Sequence, residues 1–305
     1  MNLKDKKDYK TTFKTELDKF AQKLEKYVSS DNGDWTVKGF IDVYKNIYTI
    51  SADTKIISKI LEIHIFPQLL QFAHDNGYKI IFAEKQNWYP DITFVGSKND
   101  AIKFALDIKT TFRRNNKTAG FTLGSHGAYF KERDKDKNIQ FPYNQYLGHY
   151  CLGVIYSRTI ASEDFPETDI FQVAELQEEY DTPSKKVGER EVTTVKNLKS
   201  ITSVIKDFDF FAAEKWKIAS DKQGSGNTAN IGSIVDIEDL KNENGIFSQL
   251  GEEWFDEYWI NHGTATMVKD GKPTKITTLK DFLEFKGRTD LWDKLISKTY
   301  NKKTK

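Results

Sequence analysis

Three strand-like runs follow one another along the chain: YKIIFAE (78–84), DITFVG (91–96) and IKFALDIKTTF (102–112). Each is rich in β-branched and aromatic residues, and SKND (97–100) supplies a turn between the second and third. This arrangement predicts a β-meander. The third run carries charge in an apolar setting. Successive strand side chains point to opposite faces, so Asp107 and Lys109 share one face while Phe104, Leu106 and Ile108 share the other. Pro90 holds the chain extended just before Asp91, which opens the second run. If those two strands pair, both carboxylates converge. Two carboxylates with water and phosphate oxygens are what Mg²⁺ accepts. A lysine beside them can hold a water or stabilise a phosphate that gains negative charge. The same residues also fit an ion pair on a solvated sheet, which is ordinary on strands. The apolar run FALDI weighs against that, because a buried Asp needs a partner or a metal.

The rest of the chain supplies helices and further strands. Phe13, Leu17, Phe20, Leu24 and Val28 recur at steps of three and four and predict an amphipathic helix over 10–28. It packs on its own domain or forms a helix–helix seam in a dimer. A second helix starts near SADTK with Asp53 as N-cap, and Ile56, Ile57, Ile60, Leu61 and Ile63 follow. Pro67 is expected to kink or restart it, and Asn76-Gly77 to end it. Glu62, inside this apolar stretch, is either an outward-facing charge or an accessory metal-site acid. GFTLG (120–124), GVIYSRTI (153–160) and EKWKIAS (214–220) are expected as strands. YNQYLGHYCLG has helical spacing, and EEWFDEYWI (252–260) predicts an aromatic helix. Residues 161–210 are expected as a loop-rich insertion with one helix near 195–206.

Composition narrows the function classes. The net charge of +1 excludes a uniformly basic nucleic-acid coat but leaves room for a local basic cleft. A single cysteine, Cys151, excludes disulfide scaffolds and Cys-rich zinc sites. The N-terminal MNLKDKKDYK has no apolar signal region, and no stretch approaches the roughly 20 apolar residues of a membrane span. A cytoplasmic location is the expectation. There is no P-loop and no zinc-ligand spacing.

GSGNTANIGS (224–233) is rich in glycine, which lets a backbone approach a partner closely. Asn side chains can pair bidentately with adenine in a major groove. A plain surface loop fits the same residues. In order along the chain, SADTKIISKILEI, HDNGYKII, KQNWYPDITF, ALDIKTTF, FTLG, EKWKIA and GSGNTANIGSI resemble the EcoRV-type family of type II restriction endonucleases. That resemblance implies an α/β, PD-(D/E)xK fold with a mixed central sheet flanked by helices. It implies a homodimer around double-stranded DNA, with Asp91 and Asp107 as Mg²⁺ ligands, Lys109 as catalytic lysine and Glu62 as accessory acid. Gly224, Ser225, Gly226, Asn227, Thr228 and Asn230 fall in its major-groove recognition loop. Gln86 and Asn87 match a shorter minor-groove loop, and Thr54, Lys55, Thr110 and Thr111 match positions near the DNA backbone or active site. Lys85, Arg113, Arg114 and Lys117 are candidates to line a basic cleft, although TTFRRNNK is equally a solvated turn.

The resemblance further implies cleavage of the palindrome GATATC, or a close variant, with blunt ends, and a companion DNA methyltransferase. The expected organisation is an N-terminal helical and dimerisation segment (1–50), a catalytic core (51–160), an insertion (161–210) and a recognition-loop and C-terminal helical segment (211–305). Together these make one nuclease domain. The chain departs from the family pattern at Ala229, where a Thr is expected, at Trp88, where a His is expected, and after TLG from residue 125. Two other readings keep the fold: a catalytically silent DNA-binding protein, against which the intact Asp91/Asp107/Lys109 set argues, and a repair nuclease, against which GSGNT argues.

Overall fold

The three runs of the expected meander become strands. In the computed structural model, which describes residues 2–44, 46–85, 87–159, 170–172, 185–187, 190–192, 201–224 and 229–295, the first half runs α1 (Leu3–Val28), β1 (Gly39–Ile41), β2 (Asn46–Thr49), α2 (Thr54–Asp75), β3 (Tyr78–Phe82), β4 (Ile92–Gly96), β5 (Lys103–Arg114), β6 (Lys117–Thr118), β7 (Thr122–Ser125) and α3 (Ala128–Lys131). It continues with β8 (Gly148–Arg158), β9 (Ile170–Gln172), β10 (Lys185–Val187), β11 (Arg190–Val192), β12 (Ile205–Glu214), β13 (Ala219–Gln223) and β14 (Asn230–Ser233). It closes with α4 (Ile237–Lys241), α5 (Glu252–Asn261), β15 (Thr266–Lys269), β16 (Lys272–Lys275) and α6 (Leu279–Phe285).

The chain forms two compact units, each assembled from separated stretches: residues 1–22, 69–154 and 210–305 in the first, residues 23–68 and 155–209 in the second. In the first, β3, β4 and β5 form the expected antiparallel meander. The larger sheet runs in the order β12-β8-β5-β4-β3, with β6 beside β5, and a smaller one in the order β13-β14-β7. Phe104 through Ile108 are all buried, so β5 is covered on both faces. Phe13 of α1 centres the core of this unit. Its ring stacks on Phe104 at 4.1 Å between centroids and meets Phe94 at 5.5 Å and Tyr150 at 5.1 Å. Phe13→Ala is expected to cost about 3–5 kcal/mol, read by urea unfolding.

In the second unit, Trp35 is fully buried, and its indole Nε1–H donates to His64 Nδ1 at 3.2 Å. Burial depresses the His64 pKa, which keeps that acceptor neutral. The sheet β1-β2-β9 leaves Phe40 and Ile41 exposed, and the turn beyond β1 exposes Val43 and Tyr44.

Several expectations need correction. Pro67 does not interrupt α2, which is continuous. The carbonyl it leaves without an N–H partner belongs to Ile63, four residues earlier, and Ile63 is exposed, so water can serve it. YNQYLGHYCLG is not a helix: Tyr143–Gln145 is one 3₁₀ turn and β8 starts at Gly148. Residues 148–156 are buried throughout, and a strand buried on both faces shows no alternation to read. At Gly153 a Cβ would lie 2.1 Å from the Phe211 ring, so only glycine lets β12 pack there. EKWKIAS is not one strand either, because the 3₁₀ turn Lys215–Lys217 separates β12 from β13. Of the helix expected near 195–206, residues 193–200 lie outside the described residues, and Ile205 already belongs to β12.

Candidate active site

The pairing of β4 with β5 puts Ile92 opposite Leu106. One step further along this antiparallel register, Asp91 faces Asp107. The Asp91 backbone N–H points to Asp107 Oδ1 at 3.3 Å, and the Ile108 N–H donates to Asp91 Oδ2 at 2.8 Å. Each acid is thereby oriented by the other strand. Lys109 Nζ lies 3.2 Å from Asp107 Oδ2 and 3.9 Å from Asp91 Oδ2. The Asp107 side chain is almost enclosed, whereas that of Asp91 is 42% exposed. The cluster is thus closed on one side and open to solvent on the other.

Two carboxylates against one ammonium leave one formal negative charge. Burial opposes the charge on Lys109, but Asp107 and Asp91 outweigh it and raise its pKa, so the lysine is a hydrogen-bond donor rather than a base. The oxygen-only donor set, open at Asp91, fits a hard divalent cation of the Mg²⁺ or Mn²⁺ kind. Among the described residues no three His, Cys, Asp or Glu side chains gather to hold a metal. Water and substrate oxygens would therefore complete the shell, as Mg²⁺ commonly has it.

An aromatic group continues from Asp91 through Tyr89. The Tyr89 hydroxyl hydrogen-bonds His149 Nδ1 at 2.9 Å, Tyr129 stacks on Tyr89 at 5.1 Å, and Tyr143 stacks on His149 at 3.8 Å. Burial pushes the His149 pKa well down and the Tyr89 and Tyr143 pKa values well up, so all three stay neutral. Lys215 enters this group with its Nζ 4.8 Å from the Tyr89 ring and 5.9 Å from that of Tyr143. It is buried, and its Nζ has no hydrogen-bond partner among the described residues. Burial lowers its pKa to about 8, Asp107 opposing and Lys109 reinforcing. Nothing in EKWKIAS marks Lys215 as buried, since its neighbours look like an exposed alternating strand.

Glu62 lies on α2 in the second unit, where Lys59 pairs with its carboxylate. Thr54 and Lys55 open the same helix, and Asp53 caps it through the Lys55 N–H (2.9 Å) and Ile56 N–H (3.1 Å). Thr110 is half-buried, and Thr111 is buried with its hydroxyl 3.5 Å from the Gly120 carbonyl. Arg113 and Arg114 end β5 at the hairpin to β6, where Lys117 and Arg114 are exposed. Asn87 and Lys85 are exposed, and Gln86 lies outside the described residues. Gly224 and Asn230 form the stems of the glycine-rich loop, with the Gly224 N–H donating to the Asn230 carbonyl at 3.0 Å. Ser225, Gly226, Asn227 and Thr228 lie outside the described residues. A Cβ on Gly224 would come within 2.8 Å of Thr122 Cγ2 and 3.1 Å of the Gly232 Cα.

Residues 31–184 and 179–287 match the family model described as restriction endonuclease EcoRV. The chain belongs to the EcoRV restriction endonuclease family. A curated relative, the type II restriction enzyme EcoRV of Escherichia coli, is 31% identical over 260 residues, covering 85% of this chain and 94% of the relative. The EcoRV-family chain is thus a type II restriction enzyme, a site-specific deoxyribonuclease that acts on DNA, and EcoRV-type nucleases generally use a divalent metal. Its mixed sheet flanked by helices is the α/β, PD-(D/E)xK-like fold of the EcoRV family. The acid pair and both loop stems lie within the matched residues, and α1 precedes them. No helix among the described residues is long and apolar enough to cross a membrane.

Proposed function

We propose that this enzyme hydrolyses double-stranded DNA in a Mg²⁺-dependent reaction at a palindrome, GATATC or a close variant, leaving blunt ends. The observation that carries this reading is the opposed pair Asp91 and Asp107 with Lys109 beside both. Asp91 and Asp107 would hold the metal. When bound, a divalent ion supplies Lewis acidity and charge stabilisation at the scissile phosphate. Lys109, beside both acids, orients the attacking water and faces the negative charge that builds on phosphorus. Water attacks phosphorus in line and gives up its proton to solvent, the bond to the 3′ oxygen breaks, and that oxygen leaves with the electron pair and takes a proton from solvent. Glu62 is the accessory acid. The loop from Gly224 through Thr228, with Asn230 at its second stem, reads base edges in the major groove. Gln86 and Asn87 reach the minor groove. Thr54, Lys55, Thr110, Thr111 and Arg113 set the phosphate backbone.

A palindromic site calls for two-fold protein symmetry, and the exposed Phe40, Ile41, Val43 and Tyr44 favour burial in a homodimer. A companion methyltransferase and a cytoplasmic location complete the reading, because unprotected host DNA would be cut. Plasmid digestion tests it. With Mg²⁺ discrete fragments are expected, with blunt ends that sequencing places at the centre of GATATC or a near relative. With EDTA no fragments are expected. Smears, nicks, or cutting that persists in EDTA would refute the reading.

A further inference from the structure

Both stems of the glycine-rich loop meet one residue, one through its ring and one through its backbone. β13 ends at Gln223, β14 begins at Asn230, and Asn230 pairs with Ser125 at the end of β7. The next residue, His126, touches each stem. Its backbone N–H donates to the Ala229 carbonyl at 2.8 Å. Its ring Nε2 lies 3.1 Å from Gln223 Nε2, a hydrogen bond in which the amide N–H donates to the imidazole. The ring is 5% exposed and sits against α5, with centroids 5.0 Å from Trp259 and 5.2 Å from His262. Trp259 and His262 pack on each other at 4.9 Å, so the surface under His126 is itself well braced. Burial lowers the His126 pKa to about 4, with His262 and Lys131 acting in the same direction. The ring therefore stays neutral and keeps an acceptor nitrogen for Gln223.

We propose that His126 is a specificity-determining positioning residue, which ties both stems of the 224–229 loop to α5 and so sets the pose in which the loop meets base edges. The proposal rests on the reading of that loop as base-contacting. Base readout depends on hydrogen bonds of fixed geometry, so a stem free to shift by a fraction of an ångström loses discrimination before it loses binding. His126 itself touches no base. It acts through Gln223 and Ala229, which flank the loop on opposite sides.

The test uses the full-length enzyme and the site mapped by end sequencing. kcat/KM is measured on a duplex carrying that site and on duplexes changed at one base pair. His126→Phe keeps the ring packing and removes the acceptor, and Gln223→Ala removes the donor. Each is expected to lower the ratio of cognate to altered-site kcat/KM about tenfold, the scale of one lost hydrogen bond. The double variant is expected to do no more than either single variant, because both remove the same contact. His126→Gln, which retains an acceptor, is expected to recover part of the ratio. Gln223 is exposed, so Gln223→Ala carries the test if His126→Phe fails to fold. Unchanged ratios in both single variants, or additive losses in the double variant, overturn the proposal. Asn227→Ala separates the two levels. Wild-type cleavage by that variant would refute the base-contact reading and the clamp with it. Lost cleavage there, with unchanged ratios for His126→Phe and Gln223→Ala, would refute the clamp alone.

Discussion

Asp107→Asn is expected to lower cleavage of the mapped duplex by more than about a thousandfold while leaving DNA binding in place. Asn keeps the shape of Asp107 and the oxygen that faces the Asp91 N–H, so the β4–β5 pairing has no steric reason to change. What goes is the charge. The cluster then holds one carboxylate against one ammonium, and the negative charge that attracts a divalent ion is gone. Partners that only orient a metal ligand are worth about 10–100-fold, and one preorganised charge-stabilising donor about 10²–10³-fold, so a ligand should exceed both. Single-turnover cleavage and a gel-shift titration on the same duplex measure the two halves of the claim. Cleavage within tenfold of wild type would remove Asp107 from the chemistry.

Lys215→Met is expected to stabilise the protein at pH 7. The ammonium is buried without a hydrogen-bond partner among the described residues, and its pKa falls from 10.5 to about 8. A shift of that size corresponds to about 3 kcal/mol. Because the folded-state pKa is the lower one, the unfolded chain binds more protons between pH 8 and 10.5. The penalty is complete below pH 8 and fades as pH rises through that window. The aromatic faces of Tyr89 and Phe130 return part of it, about 1–2 kcal/mol, which Met forfeits. A net gain of about 1–2 kcal/mol remains at neutral pH. Urea unfolding of both proteins at pH 7 and pH 10 reads the effect, and the gap should shrink at the higher pH. A variant less stable than wild type at pH 7 would show that Lys215 has a partner that offsets its burial. A lysine retained at such cost beside the Asp107 cluster also makes the cleavage rate of this variant informative.

The acid pair was legible because everything that assembles it is local. The two runs are neighbours in a meander, the turn between them is short, and the period-2 pattern puts Asp107 and Lys109 on one side. Helix α1 was legible from its apolar stripe, although it begins at Leu3, seven residues before the expected start at residue 10. β8 was legible from residue 153, where GVIYSRTI reads as a strand, but its first half was not, because Tyr143, Tyr146 and Tyr150 mimic helical spacing and burial on both faces erases alternation. Pro67 misled because the cost of a helical proline depends on whether the orphaned carbonyl reaches water, which the sequence does not record. The polar features away from the acids were also hidden. Lys215 and Tyr89 are far apart in sequence, and Gln223 meets His126 across 97 residues. No local pattern announces contacts of that kind.

Asp91 and Asp107 are expected to hold one divalent cation together at the DNA-cleavage site. Calorimetric titration of Mn²⁺ into the enzyme bound to its mapped duplex measures this directly. Wild type is expected to bind Mn²⁺, and Asp91→Ala and Asp107→Ala are each expected to lose at least about tenfold in affinity, the lower end of what a metal-site partner contributes. Unchanged Mn²⁺ binding in either variant would contradict the shared site.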